Sequence, residues 1–402
     1  MPVTGSYNIN QTMMEVFMIT PLPPPSGGIG TVARSLVDYA GRFSGGIELT
    51  VCNTSHRLRP ETTVNLPVRL VTGIINSLSA IFRAWRMILQ NRPAVVHLAS
   101  SASLGLLKDL AILRIARLRG IPVVVHWHFG RIPELMQLRN LEWKLLCHAI
   151  RRSAHSIVID AVSCRTLQSA GFSNVSYIPN PMAEDLESMA RNRMVREEKR
   201  VSRTVLFVGH IIRMKGVYEL VEACRQSGDV EKLILAGPYE TSVRSDLERI
   251  ASQREGGRWL HFTGAIAASE VLELMRMTPV FVLPSYTEGF PMVILEAMAM
   301  GCAVVATAVG AIPEMLASRS ADPCGICLPE CRAGSLKDAI EQLMNNPQVA
   351  ADFGKKAAAA VLQHYTMSKI FPRYLKVWKE AWTQKPVPAV TREFIHQKPA
   401  TT

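Results

Sequence analysis

Short apolar runs alternate with longer amphipathic stretches along the whole chain, and the alternation occurs twice. In the first half, Glu15–Thr20, Pro93–Leu98, Ile121–His126 and Ser156–Ile159 read as strands. Helical spacing of apolar positions separates them, from Thr31 to Gly41 and at about 75–90, 104–119 and 134–152. In the second half Val205–Val208, Lys232–Leu235, Trp259–Thr263, Val280–Leu283 and Ala303–Ala306 are strand-like. Helical patterns at Val217–Gln226, Ser269–Met277 and Met292–Met300 lie among them. Strands that alternate with helices predict an α/β fold, a parallel sheet covered by helices on both faces. The charged, weakly apolar stretch Glu184–Arg203 reads as a linker between residues 1–183 and 204–370, with no core-like run crossing it. Helical stretches follow Pro347, and the Pro-, Thr- and Lys-containing tail from Gln384 is expected to be poorly ordered.

Composition narrows the class. A length of 402 residues favours two domains over one, and 48% hydrophobic with 19% charged residues is a globular balance. No segment approaches the roughly 18 uninterrupted apolar residues of a membrane span. Residues 1–10 lack a basic region followed by an apolar run, so a cytoplasmic location is expected. A net charge of +12 calls for an acidic partner: nucleic acid, an anionic membrane surface or a phosphate-bearing substrate. Nothing resembles a zinc finger, an aromatic RNA-binding pattern or a helix-turn-helix, which leaves nucleic acid the least supported. Two stretches, Ile74–Arg92 and Leu135–Arg152, combine bulky apolar residues with arginines. Each reads either as a surface for an anionic membrane at its inner face or as a packed helix with a solvated basic side.

Five of the eight cysteines, Cys52, Cys147, Cys164, Cys224 and Cys302, sit among apolar neighbours and read as reduced core thiols. Cys324, Cys327 and Cys331 form a C-x2-C-x3-C group without a fourth nearby ligand, which argues against a closed metal site.

The most informative segment runs from Phe281 to Gly301. Phe281–Leu283 ends an apolar strand, Pro291 suits a helix start, and Gly301 suits its stop. Glu288 and Gly289 then occupy the strand-to-helix loop, and Glu296 lies inside the helix. The amides of Gly289, Phe290, Met292 and Val293 face the loop at the positive end of the helix dipole, where a diphosphate binds without a metal ion. Two carboxylates flanking a phosphate suit polyol hydroxyls, a sugar on one side and a ribose on the other.

This segment, with the Gly310-Ala-Ile-Pro313-Glu314 that follows, resembles the retaining glycosyltransferases of family four, typified by sucrose synthases and bacterial mannosyl- and glucosyltransferases. Glu288 and Glu296 match their E-x7-E signature. The resemblance is densest from Val205 to Glu314. It implies a GT-B fold, two Rossmann-like domains facing across a cleft, with a nucleotide-sugar donor on the second and a saccharide or lipid-linked acceptor on the first. A C-terminal helix, Phe371–Trp382, would return to the first domain, giving a final division at residues 371–402. It further implies synthesis of a cell-surface polysaccharide or glycolipid, with the nucleotide-sugar as substrate and no separate cofactor.

Individual positions carry over. Gly209-His210-Ile-Ile-Arg213-Met-Lys215-Gly216 resembles the family's phosphate-clamping loop; Lys215 matches, but His210 stands where the family has Arg, leaving Arg213 as the candidate for the fixed charge. Gly27, Gly28 and Gly30 after the first strand resemble the Gly-rich loop that approaches the donor phosphate. They lack the G-x-G-x-x-G spacing of a dehydrogenase. His126 and His128 end a strand two residues apart, and His128 matches the family's histidine near the sugar; a zinc set of His97, His126 and His128 is the weaker alternative. The base is expected near Ala265–Ile266, and Phe290, Pro291 and Val293 at the donor's phosphates. No D-x-D occurs, which fits a metal-independent enzyme. The remaining alternatives are a sugar-nucleotide isomerase or phosphorylase on the same scaffold, and a non-catalytic donor-binding or membrane-scaffold protein.

Overall fold

The computed structural model describes residues 13–23, 27–43, 45–55, 66–103, 105–195, 200–317 and 319–383. Among these residues two six-stranded sheets form, all of whose neighbouring strands run parallel. The first contains β1 (Met14–Thr20), β2 (Ile47–Asn53), β3 (Val95–Ser100), β4 (Val123–Trp127), β5 (His155–Val158) and β6 (Val175–Tyr177), in the order β2-β1-β3-β4-β5-β6. The helices α1 (Gly28–Ala40), α2 (Leu66–Asn91), α3 (Gly105–Leu118), α4 (Ile132–Leu138), α5 (Leu141–Arg152) and α6 (Ala161–Ser169) connect them. After α7 (Glu184–Val195) the second sheet follows: β7 (Thr204–Val208), β8 (Lys232–Ala236), β9 (Leu260–Gly264), β10 (Val280–Leu283), β11 (Ala303–Thr307) and β12 (Ile326–Leu328), in the order β12-β11-β10-β7-β8-β9. Its helices are α8 (Val217–Gln226), α9 (Thr241–Ala251), α10 (Ala268–Met277), α11 (Met292–Ala299), α12 (Ile312–Met315), α13 (Ala333–Asn345) and α14 (Pro347–His364). The last described helix is α15 (Met367–Thr383).

The central strands are buried on both faces, as parallel strands covered by helices must be, which is why β10 is an unbroken apolar run, β4 is interrupted only by His126 and β11 is apolar up to its final Thr307. Four strands escape that pattern: β9, at one edge of the second sheet, has no fully buried residue and alternates half-buried with exposed positions. β2 alternates polar and apolar residues at the sheet edge, and β6 and β12 have only three residues each. The single helix expected over 134–152 is two. Arg139 turns left-handed at φ 47° after α4, and the Asn140 side chain accepts the Trp143 amide to start α5.

The stretch read as a linker holds α7, and its Leu186 and Ala190 are buried in the second domain's core beside Met182. Two apolar positions four apart are enough to seat one helix face, yet too sparse to stand out in a charged sequence. The tail from Gln384 lies outside the described residues.

Helix α15 lays Phe371, Tyr374, Val377 and Trp378 onto the first domain's sheet, against Val16, Val95 and Val124. Its Trp378 is fully buried, and its indole N–H donates to His97 Nδ1 at 3.1 Å. The chain crosses between the domains at neighbouring points, where the Met182 amide donates to the Tyr365 carbonyl at 2.8 Å. Trp378→Ala removes the largest side chain of this seam and should lower stability by about 3–5 kcal/mol, measured by urea unfolding.

Candidate active site

In open parallel sheets a ligand site forms beyond the carboxyl ends of the strands, where the strand order reverses. In the second sheet the reversal lies between β10 and β7, and in the first between β1 and β3. The loops after β7, β10 and β1 carry the singled-out residues, so the topology alone brings Lys215, Glu288 and Gly27–Gly28 to one cleft.

The two helices that start there lack side-chain caps. Gly27 precedes α1 in an extended conformation, and Pro291 precedes α11; neither makes a capping bond. The first amides of a helix have no acceptor within it; Met292 and Val293 occupy that position at α11, and Phe290 lies just before its N-cap Pro291. The starts of the two helices approach each other across the cleft: a Cβ built on Gly28 would lie 3.7 Å from Met292 Cγ. Two positive dipole ends thus converge on one space. The Phe290 and Pro291 side chains are buried, Phe290 with its ring 5.9 Å from that of Tyr365. Ser26 lies outside the described residues.

Lys215 and Glu288 meet directly. Lys215 Nζ donates to Glu288 Oε1 at 2.6 Å, and the hydroxyl of buried Ser285 donates to the same oxygen at 2.7 Å. The loop that brings Lys215 is pinned to the loop that brings Glu288: the Tyr286 amide donates to the Met214 carbonyl at 3.0 Å. Gly216, left-handed at φ 69°, sits where a Cβ would fall 2.0 Å from the Pro284 carbonyl oxygen.

Glu296 lies farther along α11, partly buried, and burial together with the charge of Asp185 raises its carboxyl above the usual range. Val293 is partly buried on the same helix, and Ile266 follows β9, packed on the second core. Arg213 is exposed with its guanidinium over the Tyr218 ring, 5.0 Å from the centroid, and His210 is exposed.

His97, His126 and His128 stand in a row, with ring centroids 5.4 Å and 3.8 Å apart. Burial lowers all three, His97 and His128 to about 3, so each is neutral at pH 7. Among the described residues no three metal-ligating side chains gather round one point, either here or at Cys324, Cys327 and Cys331. Cys324 is buried with its thiol near the Met315 carbonyl, and Cys331 lies beside Gly216.

Sequence reasoning missed the residues that hold Glu288 in place. Besides Ser285, Gly130 from the first domain and Gly310 from the loop after β11 close on its peptide. A Cβ at either would lie 2.4 Å from the Glu288 carbonyl oxygen. The Ala311 amide donates to the Gly289 carbonyl at 2.8 Å. The only signal was a glycine after His128-Phe129 and another after β11, unremarkable until the strands are assembled.

Gly310 is also left-handed at φ 55°, whereas Gly120, at φ 67°, has open space around it. Gly120→Ala should therefore cost only the left-handed backbone term, about 1–2 kcal/mol in chemical denaturation. Gly310→Ala should cost distinctly more, because the loop must also move away from Glu288.

Comparison with known proteins agrees with this architecture. The family model Glycosyltransferase Family 4 matches residues 26–185, and Glycosyl transferases group 1 matches residues 189–360. An alpha-maltose-1-phosphate synthase of Mycolicibacterium smegmatis is 30% identical over 188 residues, 44% of this chain and 47% of that protein. The N,N'-diacetylbacillosaminyl-diphospho-undecaprenol alpha-1,3-N-acetylgalactosaminyltransferase of Campylobacter jejuni is 31% identical over 175 residues, 43% of this chain and 44% of that one. The chain thus spans about half the length of these curated relatives. The structure of sucrose-phosphate synthase from Thermosynechococcus elongatus superposes with a TM-score of 0.71 at 18% identity, covering 91% of this chain and 98% of that chain. That likeness shows the GT-B fold of two Rossmann-like domains across a cleft. With one matched segment on each of its two domains, the chain belongs to the group 1 glycosyltransferases.

Proposed function

We propose that the protein transfers a glycosyl group from a nucleotide-sugar to a saccharide or lipid-linked acceptor, with retention of anomeric configuration and without a metal ion. The observation that carries this reading is the meeting of Lys215 and Glu288 beside two uncapped helix starts. A donor diphosphate entering there finds the ammonium of Lys215 and the amides of Gly28, Phe290 and Val293. Once Lys215 turns to the phosphate, Glu288 is free to accept hydroxyl bonds from the sugar. Glu296, farther along α11, suits the ribose, and Ile266 the base. His128, uncharged, suits a sugar hydroxyl.

The C–O bond between sugar and diphosphate breaks first, leaving an oxocarbenium-like sugar and placing charge on the phosphate that Lys215 and the helix starts stabilise. The acceptor hydroxyl attacks from the same face, and its proton passes to the departing phosphate. Lys215→Ala and Glu288→Ala should each lower turnover of the active nucleotide-sugar by about 100-fold or more with the fold retained by circular dichroism. Near-normal turnover in either variant would sink the assignment, and loss of activity in EDTA would sink the metal-free mechanism.

An anionic membrane surface is the proposed setting. Helix α2 buries the small residues Ala80 and Ala84 with Ile88, and turns Ile74, Leu78, Phe82 and Trp85 outward, each more than two-fifths exposed. Arg83, Arg86 and Arg92 are exposed on or beside the same helix. No described helix is long and apolar enough to cross a bilayer. An apolar face with basic residues and net positive charge suits the boundary of an anionic bilayer. A Phe82→Ser/Trp85→Ser double variant should bind phosphatidylglycerol vesicles at least about tenfold more weakly in co-sedimentation. Equal binding to neutral phosphatidylcholine vesicles would count against the reading.

A further inference from the structure

The row of histidines continues from the cleft into the core, and its far end is held by the last described helix. His97 on β3 and His126 on β4 share the side of the first sheet that carries Val95 and Val124, the side that α15 covers. His128 follows β4, half-buried, and its amide donates to the Ser100 carbonyl at 2.8 Å. Gly130, two residues on, is the glycine that closes on the Glu288 carbonyl. From the cleft inward the rings meet in sequence: His128 with His126, His126 with His97 and Tyr374, His97 with Trp378. The His126 and Tyr374 centroids are 5.6 Å apart, and those of His97 and Trp378 5.7 Å.

One proton of the row is placed by α15. The Trp378 indole N–H donates to His97 Nδ1, so neutral His97 carries its own proton on Nε2. That ring meets His126 edge to face, at an interplanar angle of 78°. Two polar atoms of the row, His126 Nε2 and Tyr374 Oη, are buried without a hydrogen-bond partner among the described residues. Each such atom costs roughly 1–3 kcal/mol, and leucine or phenylalanine at either position would avoid the cost. Stability alone does not account for a polar row here. Burial lowers all three imidazoles, and the neighbouring rings add to the effect for His126 and His128, so a charge on one ring makes a second still less favourable.

We propose that Trp378 and Tyr374 act through His97 and His126 as positioning residues, holding the His128 imidazole in one orientation and one tautomer at the edge of the cleft. A neutral imidazole has one donor and one acceptor nitrogen, and a ring free to flip or to exchange its proton presents the right one only part of the time. A helix from the far end of the chain thus sets the ring that the first domain offers to the sugar. The consequence for turnover rests on the placement of His128 at the donor sugar, whereas the coupling along the row can be read without any substrate.

The deciding measurement is NMR of the full chain with 15N-labelled histidine imidazoles, which reads tautomer and protonation ring by ring. In the wild type His97 should show the Nε2–H form alone, and His128 a single tautomer that stays neutral down to about pH 5. Trp378→Phe keeps a ring but removes the N–H, and should mix the tautomers of His97 and His128. His126→Ala should mix those of His128 and raise its titration toward about 6.5, and His126→Phe, which restores a flat ring, should reverse part of that change. His128 signals unmoved in both Trp378→Phe and His126→Ala overturn the proposal. For turnover, UDP-glucose, GDP-mannose and ADP-glucose are screened for hydrolysis, and the one cleaved fastest is the probe; the spectra decide alone where none is cleaved. In both variants kcat should fall about tenfold, with KM changed by less than about twofold. Unchanged kcat in both, where His128→Ala loses turnover, also overturns the positioning role. Near-normal turnover in His128→Ala brings down the placement of His128 at the sugar instead, and leaves the coupling along the row standing.

Discussion

The peptide between Glu288 and Gly289 is the point through which the two domains and the candidate site constrain one another. Gly130 presses on it from the first domain and Gly310 from the second, both at distances that leave no room for a side chain. Close packing of this kind has discrete arrangements and little compliance. The position of the Glu288 carboxylate is therefore set jointly by β4, β10 and β11, and any change in how the domains meet is felt at that residue. Ser285 and Lys215 complete the restraint on its side chain.

Much of this was legible in the sequence because it depends on local pattern. Apolar runs gave the central strands, and Pro291 and Gly301 bracketed α11 to within two residues. The alternation of strand and helix implied parallel sheets, and the reversal in strand order then makes neighbours of the loops after β7 and β10. What escaped was of two kinds. Edge strands β2, β6 and β12 are short or half polar, so their strand character comes from pairing rather than from their own residues. Contacts between distant segments, such as Gly130 on Glu288 or Trp378 on His97, have no local signature at all.

The loop after β7, which resembles a phosphate clamp, illustrates the same limit. Arg213 was the natural stand-in for an arginine that His210 replaces, and one sequence step cannot say where a flexible guanidinium rests. In the structure it stacks on Tyr218. The Lys215 ammonium is engaged by Glu288. An internal ion pair of this kind keeps both charges in place without a ligand, and an arriving anion exchanges partners with the pair rather than meeting bare charges.

The return of α15 to the first domain also orders events in the making of the protein. Val16, Val95 and Val124 lie in strands synthesised early, but the side chains that cover them, Phe371, Tyr374 and Trp378, come after the entire second domain has been translated. From Tyr177, where the first sheet is complete, to Met367, where α15 starts, that face of the sheet is therefore covered only in part, by α1, while the whole second domain is added. A nascent chain in that state is a natural client for chaperones, and one that stops short of residue 367 would keep the sticky face for good.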